Sequence, residues 1–590
     1  MHRPDVGVEV TLLAGAFRRR GALQHSDDLL AAMKHLLSRN PSEQLDVVRD
    51  EYSLMVKVDI GAFKSKGRVD DADGVTFVAG EPIVSTLDPS LRSRATDTAE
   101  LHRMLQGREY MRLAETRGVF SVAHYDRAAR RLVIATDKLG IRPMYVWTDG
   151  DTVVYSSTMR LLEACDLLPK TIDVDGLAER VAFGFSFGAR TSYSNIRLLK
   201  PAEVIEVAAD GITSTEYWRW QDIPRSTSDL ATLSKAAYDA FMEAVRIRQR
   251  GDNATTAFLS GGLDSRVVVA ALRSDNVDVH SFNFSPEGTE DREYGAALAQ
   301  VAGTTHESHG VDDPIDSRWS MMIANAHARS TASIKSRVER PQVMWSGDGG
   351  SVTLGHVYLR PKIMERAAAG DVDGVADEYL KAEHGYVPLR LLQPSIAPRM
   401  QVAPRNGVVA ELERLSAGDL SQTFYLFLMH NDQHRHLHHH FEGIDEHRVE
   451  LQLPFFDGEF AAIIASIPIE ARLYHAFYVS WLNEFPDYVS KTYWQAYPGH
   501  VPCPIPPTKA LDYQWSPSVL AAKRALIRRK TLRRAWETLR SPTFASSLMK
   551  KYVLSLAAAV HWSKLSNRDY VIDAADTMQK TWDVTMSHPS

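Results

Sequence analysis

Apolar and polar positions follow two different periods along this chain, and the period changes near residue 230. Before about residue 210, short apolar runs bounded by turn residues predict strands with helices between them. Residues 118–126 and 131–137 are the clearest pair and predict a β-hairpin. From residue 230 to residue 250, apolar side chains recur every three or four positions, which predicts a helix with one face in the core.

The second half of the chain alternates apolar strands with helices. A short apolar run ends at Leu259, and a second strand is predicted over residues 278–284. A helix is predicted after each of them, near residues 267–272 and 295–303. Because such alternation is typical of βαβ units, it predicts a doubly wound parallel sheet with its ligand at the carboxyl ends of the strands.

Composition adds few constraints to this picture. The 590 residues predict several domains, and 44% hydrophobic with 24% charged residues is typical of a soluble globular protein. A net charge of -6 gives no indication of a nucleic-acid or membrane partner. Cys165 and Cys503 lack the spacing of a metal or redox pair, which fits a reducing cytoplasm. We expect neither a signal peptide nor a membrane-spanning run.

The most informative stretch is Ser-Gly-Gly-Leu-Asp-Ser, residues 260–265. Glycines without side chains let backbone N–H groups approach a phosphate, and the dipole of the following helix favours negative charge there. Asp264 would repel a phosphate, so we expect it to hold a divalent cation that bridges to the phosphates. An ordinary glycine turn between strand and helix is the alternative.

This stretch resembles the pyrophosphate loop of the ATP pyrophosphatases, which split ATP between the α and β phosphates. It lacks the Lys that ends a Walker loop. Six matching residues in a strand–turn–helix context favour the nucleotide interpretation over an ordinary turn. The resemblance implies ATP and Mg²⁺ as ligands, and a second strand that flanks the adenine. The implied nucleotide-binding residues are Ser260, Gly261, Gly262, Asp264, Ser265 and Phe282.

A second glycine-rich stretch, which contains Gly347 and Gly349, resembles a motif of the asparagine synthetase B-like family. Its glycines would again let the backbone approach a phosphate. The family has an acidic pair where this chain has Ser351 and Val352, so one metal-binding carboxylate is absent from its usual place. We expect Asp348 to bind both nucleotide and metal in its stead, and a plain glycine turn is the alternative.

Residues 448–457 resemble an element that lines the active site in the same family, which implies a substrate or catalytic contact for Glu450. Gln452 stands where the family has Arg. Beyond this element, the family carries a Lys that neutralises charge on the α-phosphate during acyl transfer. Lys491 is the Lys close to that position, and we predict the catalytic role for it. A solvated surface Lys is an evenly weighted alternative.

The first part of the chain, from Gly118 to Tyr145, resembles the N-terminal glutaminase domain of this family. Thr11 stands where the family has its nucleophilic Cys, and Ala79 replaces the Asn of the oxyanion hole. Ten residues precede Thr11, so the unprocessed chain has no free amine there to act as base. We therefore expect a glutaminase fold without glutaminase activity. A Thr11 nucleophile exposed by proteolysis is the alternative.

The resemblance implies an α/β protein with three regions. Residues 1–215 would form an N-terminal nucleophile hydrolase-like αββα sandwich. Residues 230–510 would form an adenine nucleotide α-hydrolase-like domain with a doubly wound parallel sheet. Residues 511–590 would be a helical, basic extension, for which we expect a solvated face rather than an acidic partner or leader peptide. We expect the dense histidines over residues 430–440 to be structural rather than metal ligands.

The reaction that the resemblance implies is an ATP-dependent amide ligation in the cytoplasm. A carboxylate would be activated as acyl-AMP with release of pyrophosphate, and an amine would then attack it. β-Lactam synthetases and lasso peptide cyclases share this architecture and use an amine already present on the substrate. Asparagine synthesis from ammonia is the second interpretation, and a nucleotide-binding protein without catalysis is the third. The implied partners are a small-molecule or peptide carboxylate and an amine, with no nucleic acid and no membrane, and a homodimer is left open.

Overall fold

Two antiparallel sheets form the first half of the molecule, and a parallel sheet forms the second. The computed structural model describes residues 11–40, 43–59, 61–84, 93–309, 338–354, 359–432, 437–495, 503, 511 and 517–587. The strands are β1 Leu12–Arg18, β2 Asp46–Arg49, β3 Ser53–Val58, β4 Arg68–Asp70, β5 Gly74–Gly80, β6 Phe120–Asp126, β7 Arg131–Thr136, β8 Tyr145–Thr148, β9 Thr152–Ser156, β10 Ile196–Leu198, β11 Glu203–Ala208, β12 Gly211–Glu216, β13 Ala254–Phe258, β14 Asp278–Asn283, β15 Thr305–Ser308, β16 Val343–Trp345 and β17 Glu450–Gln452.

Helices cover both kinds of sheet. Those of the first half are α1 Ser26–Leu36, α2 Arg94–Gln106, α3 Met159–Ala164 and α4 Val174–Phe183. Those that follow are α5 Leu230–Gln249, α6 Leu263–Ser274, α7 Glu290–Ala302, α8 Gly350–Thr353, α9 Pro361–Ala368, α10 Val372–Glu383, α11 Ala397–Arg414, α12 Leu420–Asn431, α13 Leu437–Glu442, α14 Ile444–His447, α15 Gly458–Ser466, α16 Ile469–Arg472, α17 Ala476–Leu482, α18 Tyr488–Lys491, α19 Pro517–Arg540, α20 Lys551–Trp562 and α21 Asp569–Met586.

The two antiparallel sheets have six strands each and pack face to face. Their strand orders are β10-β8-β9-β1-β3-β2 and β12-β11-β7-β6-β5-β4. Because side chains alternate along a strand, Leu13 and Phe17 of β1 pack between the sheets against Phe77 and Ile134, whereas Leu12 faces the outer helix layer. Helix α1 lies on the first sheet and α2 on the second, which gives the αββα sandwich. The predicted hairpin is the antiparallel pair β6–β7.

The parallel sheet has the order β15-β14-β13-β16-β17. The chain passes outward from β13 to β14 and β15, and then returns to the other side of β13 for β16 and β17. The strand order therefore reverses between β13 and β16, which is the point where doubly wound sheets bind ligands. The predicted parallel sheet is confirmed, and the loops that follow β13 and β16 lie side by side.

Local signals fix the ends of the elements around this sheet. Asp229 accepts a hydrogen bond from the backbone N–H of Thr232 and caps α5, in agreement with the helix start predicted there. The C-terminal helices α19–α21 pack on α4 and α11 through a shared core that includes Leu177, Met400 and Leu554. In the part of the chain that the structure describes, no helix is both long and apolar enough to cross a bilayer.

Candidate active site

The loop between β13 and α6 is held together by its own hydroxyl groups. The backbone N–H of Ser260 donates to Ser265 Oγ at 2.9 Å, and the two serine Oγ atoms lie 2.9 Å apart. The backbone N–H of Gly262 donates to Ser260 Oγ at 3.1 Å, and Gly262 is the residue before the first turn of α6. The loop thus ends at a helix N-terminus, whose N–H groups and dipole favour an anion.

Asp291 and Gln495 support the loop from outside. Asp291 Oδ1 accepts hydrogen bonds from the backbone N–H of Gly261 at 3.2 Å and from Gln495 Nε2 at 2.9 Å. The backbone N–H of Gln495 donates to the Gly261 carbonyl at 3.1 Å. A Cβ at position 261 would lie 2.6 Å from the Glu290 carbonyl oxygen, so glycine is required for this close approach.

Arg266 joins the loop to a segment more than two hundred residues later in the chain. Its guanidinium is fully buried and donates to the carbonyls of Gly261 and Gly262. It also donates to three carbonyls of the later segment, at 2.6 to 2.9 Å, namely Val489, Thr492 and Tyr493. Burial lowers the pKa of Arg266 to about 10, and its side chain remains charged at neutral pH.

Asp264 projects from the first turn of α6 toward the second glycine-rich loop. Its Oδ1 accepts from the Tyr478 hydroxyl at 2.7 Å, and its Oδ2 accepts from Ser351 Oγ at 2.8 Å and from the Ser351 backbone N–H at 3.2 Å. Burial raises the pKa of Asp264 to about 6, and the negative charge of Asp348 adds to the rise while the Tyr478 and Ser351 donors oppose it.

The second glycine-rich loop lies directly against the first turn of α6. A Cβ at Gly347 would lie 2.5 Å from the Ser265 backbone nitrogen, so only glycine permits this contact. Gly349 has φ +93°, and a Cβ there would meet the ring of Phe456 at 2.4 Å. Asp348 Oδ2 accepts from Ser346 Oγ at 2.6 Å. The strand reversal thus brings Asp264 and Asp348 close enough for their charges to interact.

The two carboxylates fit a divalent cation. They lie within electrostatic reach of each other, and the repulsion between them is what a shared Mg²⁺ would relieve. Each oxygen of Asp264 has a protein donor, but a carboxylate has further lone pairs with which it can bind a metal. No cluster of three or more His, Cys, Asp or Glu side chains in the described residues forms a denser metal site.

The remaining predicted site residues make contacts elsewhere in the molecule. Lys491 ends α18, where its side chain is 70% exposed and paired with Asp487 one turn earlier. Phe282 is fully buried beside His280 and His309, with ring centroids 4.8 and 6.1 Å away. Its ring therefore offers no open face to an adenine in this conformation. The roles assigned to Lys491 and Phe282 stay predictions.

Glu450 opens β17 at the amino edge of the parallel sheet, opposite the edge that carries the Ser260 loop. It pairs there with Arg142 from the first half of the chain, and both side chains are buried. Burial raises the pKa of Glu450, and the charge of Arg142 and the hydroxyl of Thr11 oppose the rise. The catalytic role implied for Glu450 stays a prediction, and its observed contacts connect the two halves of the molecule.

The region of the lost glutaminase residues is closed by these contacts. Thr11 is 1% exposed. Glu81, two residues after Ala79, accepts from Gln452 Nε2 at 2.6 Å and from Arg250 Nε at 3.2 Å. A cavity of about 10 Å³, room for about one water molecule, lies between the halves of the molecule at this point.

The sequence did not predict the roles of three residues at this site, namely Arg266, Tyr478 and Asp291. Arg266 directly follows the Ser-Gly-Gly-Leu-Asp-Ser stretch, and a basic residue at that place was the available signal. Asp291 stands in the acidic first turn of α7, and acidic residues are common in the first turn of a helix. Tyr478 belongs to an apolar helix and had no distinguishing pattern.

Comparisons with known proteins match two parts of this chain. The glutamine amidotransferase domain family matches residues 88–218, and the asparagine synthase family matches residues 236–477. Asparagine synthetase 3 (glutamine-hydrolyzing) of Bacillus subtilis is 27% identical over 207 residues, which are 32% of this chain and 34% of that protein. Asparagine synthetase 1 (glutamine-hydrolyzing) of the same organism is 26% identical over 203 residues, 34% of this chain and 31% of that protein.

The chain thus spans about a third of the length of the curated relatives it matches. Among solved structures, one titled "structure of the allosteric regulatory enzyme of purine biosynthesis" is 12% identical and covers 51% of this chain and 80% of its own. The TM-score of that structure against this chain is 0.25. The architecture therefore rests on the sheet topology described above.

Proposed function

Because the chain belongs to the asparagine synthetase B-like family, we propose that it is an ATP-dependent carbon–nitrogen ligase that activates a carboxylate as acyl-AMP and transfers it to an amine. The observation that supports this most directly is the position of the Ser260 loop. It joins β13 to the N-terminus of α6 at the point where the strand order reverses. A triphosphate would bind there against backbone N–H groups and a helix dipole.

The residues of the loop have separate tasks in this proposal. The N–H groups of the first turn of α6 bind the phosphates. Those of Ser260, Gly261 and Gly262 donate to Ser265, Asp291 and Ser260 and fix the shape of the turn. Gly347 and Gly349 let the second loop approach from the other side. Fixed N–H donors of this kind stabilise charge as it develops on leaving pyrophosphate, without reorganisation during the reaction.

Asp264 and Asp348 would hold Mg²⁺, which, when bound, neutralises phosphate charge and makes pyrophosphate a better leaving group. The protein contributes the preset position of the two carboxylates. Tyr478 and Ser351 orient Asp264 by hydrogen bonds, so that the carboxylate faces the second loop. Lys491 is proposed to supply positive charge at the α-phosphate, for which its side chain must leave Asp487.

The amine is proposed to come from the substrate or from free ammonia rather than from glutamine. Thr11 is buried and internal to the chain, so it has no α-amine of its own to act as base, and Ala79 provides no oxyanion donor. Substrates with their own amine, as in an intramolecular cyclisation, are therefore favoured. Asparagine synthesis from ammonia is the second candidate, because the relatives that match this chain bear the name asparagine synthetase.

Pyrophosphate exchange into ATP tests the proposal. The full chain is supplied with labelled pyrophosphate, ATP and Mg²⁺, and with candidate carboxylates one at a time, aspartate included. We expect exchange that depends on one carboxylate and is lost in Asp264→Asn. Asp275→Asn, at the far end of α6 and paired with Arg246 at 3.3 Å, is the matched control and should exchange normally.

Other results decide between the candidates. Exchange with aspartate, followed by asparagine formation from ammonia, would assign the second candidate. ATP binding without exchange for any carboxylate would overturn the ligase and leave a nucleotide-binding protein without catalysis.

A further inference from the structure

Five large apolar side chains between residues 552 and 570 are exposed, and they lie close together in the sequence. Tyr552, Leu556 and Trp562 on α20 are 71%, 64% and 74% exposed, and Leu565 and Tyr570 beyond it are 83% and 57% exposed. These five residues are called the apolar patch below. Single exposed apolar residues are normal on a protein surface, but a contiguous group marks a site of interaction.

Helix α20 presents its larger apolar side chains to the outside. The residues that it buries against the core are Leu554, Ala557 and His561, which recur at helical spacing. A helix that merely covers a core buries its largest apolar groups and exposes polar ones. On α20 the larger apolar side chains are exposed instead, which indicates that its outer face contacts an apolar partner.

Basic residues are concentrated in the part of the sequence that contains the patch. Residues 517–568 contain twelve Lys and Arg and one acidic residue, Glu537, although the whole chain has a net charge of -6. Between residues 538 and 568 there is no Asp or Glu at all. Some of the basic groups touch aromatic rings: Arg568 donates to the Tyr570 hydroxyl at 3.3 Å, and the Arg540 guanidinium lies 4.2 Å from the ring centroid of Trp536.

The acidic residues that begin α21 do not neutralise this surface. Asp569 pairs with His561 at 3.2 Å, and Asp573 pairs with Arg534 at 2.8 Å, so both carboxylates are engaged between the helices. Between residues 538 and 568, the outer face of α20 and the turn after it therefore combine aromatic and aliphatic groups with basic side chains and no carboxylate. That combination is typical of elements that lie in the interface of an anionic membrane.

We propose that helices α19–α21 attach the protein to the surface of an anionic phospholipid bilayer. The apolar patch would enter the boundary between headgroups and acyl chains, and Lys550, Lys551, Lys564 and Arg568 would contact the phosphates. The attachment is peripheral, and it differs from the expectation, drawn from the net charge of the whole chain, that no membrane is a partner. It is independent of the ligase activity proposed above.

Charge favours a bilayer over a second copy of the chain. A twofold dimer through the patch would bring the same surface of both copies together and place basic side chains against basic side chains. An anionic bilayer provides negative charge and an apolar phase together. An anionic bilayer also carries negative charge over its whole surface. The segment between residues 538 and 568, which has no acidic side chain of its own, can therefore bind it without a fixed pattern of acidic partners.

Co-sedimentation with vesicles tests the proposal on the full chain. One set of vesicles contains phosphatidylcholine with phosphatidylglycerol, and the other contains phosphatidylcholine alone. We expect binding to the first set, weaker binding to the second, and a loss of binding as salt increases. The double variant Trp562→Ser with Leu565→Ser should weaken binding by about tenfold or more, since two large apolar groups no longer enter the membrane.

Two more variants separate the contributions. Replacement of Lys550, Lys551 and Lys564 by Gln should weaken binding to anionic vesicles by about a hundredfold and leave binding to neutral vesicles unchanged. Tyr386→Ser, which removes an aromatic side chain of 54% exposure elsewhere on the surface, is the matched control and should bind like the wild type. All these side chains except that of Lys550 are exposed, so thermal unfolding should not change.

Several results would overturn the proposal. These are the lack of sedimentation with either vesicle, binding that the patch variants do not alter, or an equal loss in Tyr386→Ser. Light scattering gives a further decision: a dimer that the Trp562→Ser, Leu565→Ser variant converts to a monomer would assign the patch to a second copy. An unchanged mass in that variant, together with lost vesicle binding, would support the membrane.

Discussion

Asp264 shows how one side chain joins both glycine-rich loops. It begins on α6, and its oxygens accept from Tyr478 and from Ser351, which follow the first loop by long stretches of chain. Burial raises its pKa, and the neighbouring Asp348 raises it further. A carboxylate in this state binds a proton or a cation readily, because either one relieves the repulsion.

The first prediction concerns the stability of the fold without metal. The pKa of Asp264 is about 6 in the folded protein against a usual value of 3.8, so the folded state holds a proton that the unfolded state releases. The contribution of Asp264 to the free energy of unfolding therefore decreases as pH rises from about 4 to about 6, by at most about 3 kcal/mol. We expect Asp264→Asn to lack this decrease and, in EDTA at pH 8, to unfold at the same or a higher temperature than the wild type.

Thermal unfolding at pH 4.5 and pH 8 measures this difference directly. A variant that is clearly less stable than the wild type at pH 8 would contradict the prediction, because it would mean that the ionised carboxylate stabilises the two loops. In the same variant, Mg²⁺ should no longer raise the unfolding temperature in the presence of ATP.

The second prediction concerns Lys491. Removal of one charge stabiliser typically lowers turnover by a factor of about 10² to 10³. We expect Lys491→Ala to lose that much in kcat with little change in ATP affinity, because the charge acts mainly in the transition state. Lys491→Arg keeps the charge and serves as the control. Normal turnover of Lys491→Ala would mean that the exposed pair with Asp487 is its whole role.

At the scale of elements, the Ser260 loop depends on a distant segment. Arg266 donates to backbone carbonyls of Gly261 and Gly262 and to those of three residues in the segment from 489 to 493. Gln495 adds a hydrogen bond to the same loop. The loop is therefore rigid through contacts made by α18 and the residues after it, and not through its own sequence alone.

The third prediction follows from these hydrogen bonds of Arg266. Arg266→Met leaves buried carbonyl oxygens without donors, so we expect a loss of about 3 kcal/mol in the free energy of unfolding. ATP affinity should fall as well, since the loop loses its support. Arg273→Met, in the same helix but partly exposed and bonded to Ala302 and Val277, is the control and should lose less. Urea unfolding and ATP titration measure the two effects. Equal losses in both variants would contradict the role of Arg266 in supporting the Ser260 loop.

Local sequence patterns predicted the helices and strands, but they did not predict the long-range contacts. The hairpin, the parallel sheet and the Ser260 loop follow from residues close together in sequence, so periodicity and glycine positions sufficed. The acceptors of Arg266 are backbone carbonyls, which every residue has, and no sequence pattern marks them. The place of Glu450 at the amino edge of β17 depends on the register of that strand with β16, which its motif does not encode.

At the scale of the whole molecule, buried ion pairs join the two halves of the chain. Asp457 has no exposed surface and accepts from Arg117 of the first half at 2.9 Å and from Arg248 of the second at 2.8 Å. Arg142 pairs with Glu450 in the same interface. Burial is expensive for each of these charges alone, so the pairs stabilise the structure only while the halves stay together.

The fourth prediction concerns this coupling. Arg117→Met leaves part of the charge of Asp457 uncompensated, so we expect a loss of about 3 to 5 kcal/mol and a calorimetric transition that separates into two. Arg103→Met, whose partner Glu100 lies 2.7 Å away at the surface, should change stability far less, because solvent screens an exposed ion pair. A single unshifted transition in Arg117→Met would show that other contacts join the halves.

The fifth prediction concerns glutamine. The purified chain should release no glutamate from it, because Thr11 is buried and Ala79 cannot stabilise an oxyanion. Thr11→Ala should leave the ligase activity unchanged when ammonia or the substrate's own amine is the nucleophile. Glutamate release that Thr11→Ala abolishes would restore the N-terminal domain as an amide donor.

The contact between Arg266 and residues 489–493 also bears on synthesis of the protein on the ribosome. The strand, loop and helix that form the nucleotide site leave the ribosome long before the segment that supports them. More than two hundred residues separate Arg266 from that segment. Until the segment up to Gln495 emerges, Arg266 lacks its three acceptors in that segment, and the Gly261 carbonyl lacks the backbone N–H of Gln495. A nascent chain truncated before residue 489 should therefore be unable to retain ATP, and a chain released at the end of translation should acquire that ability abruptly.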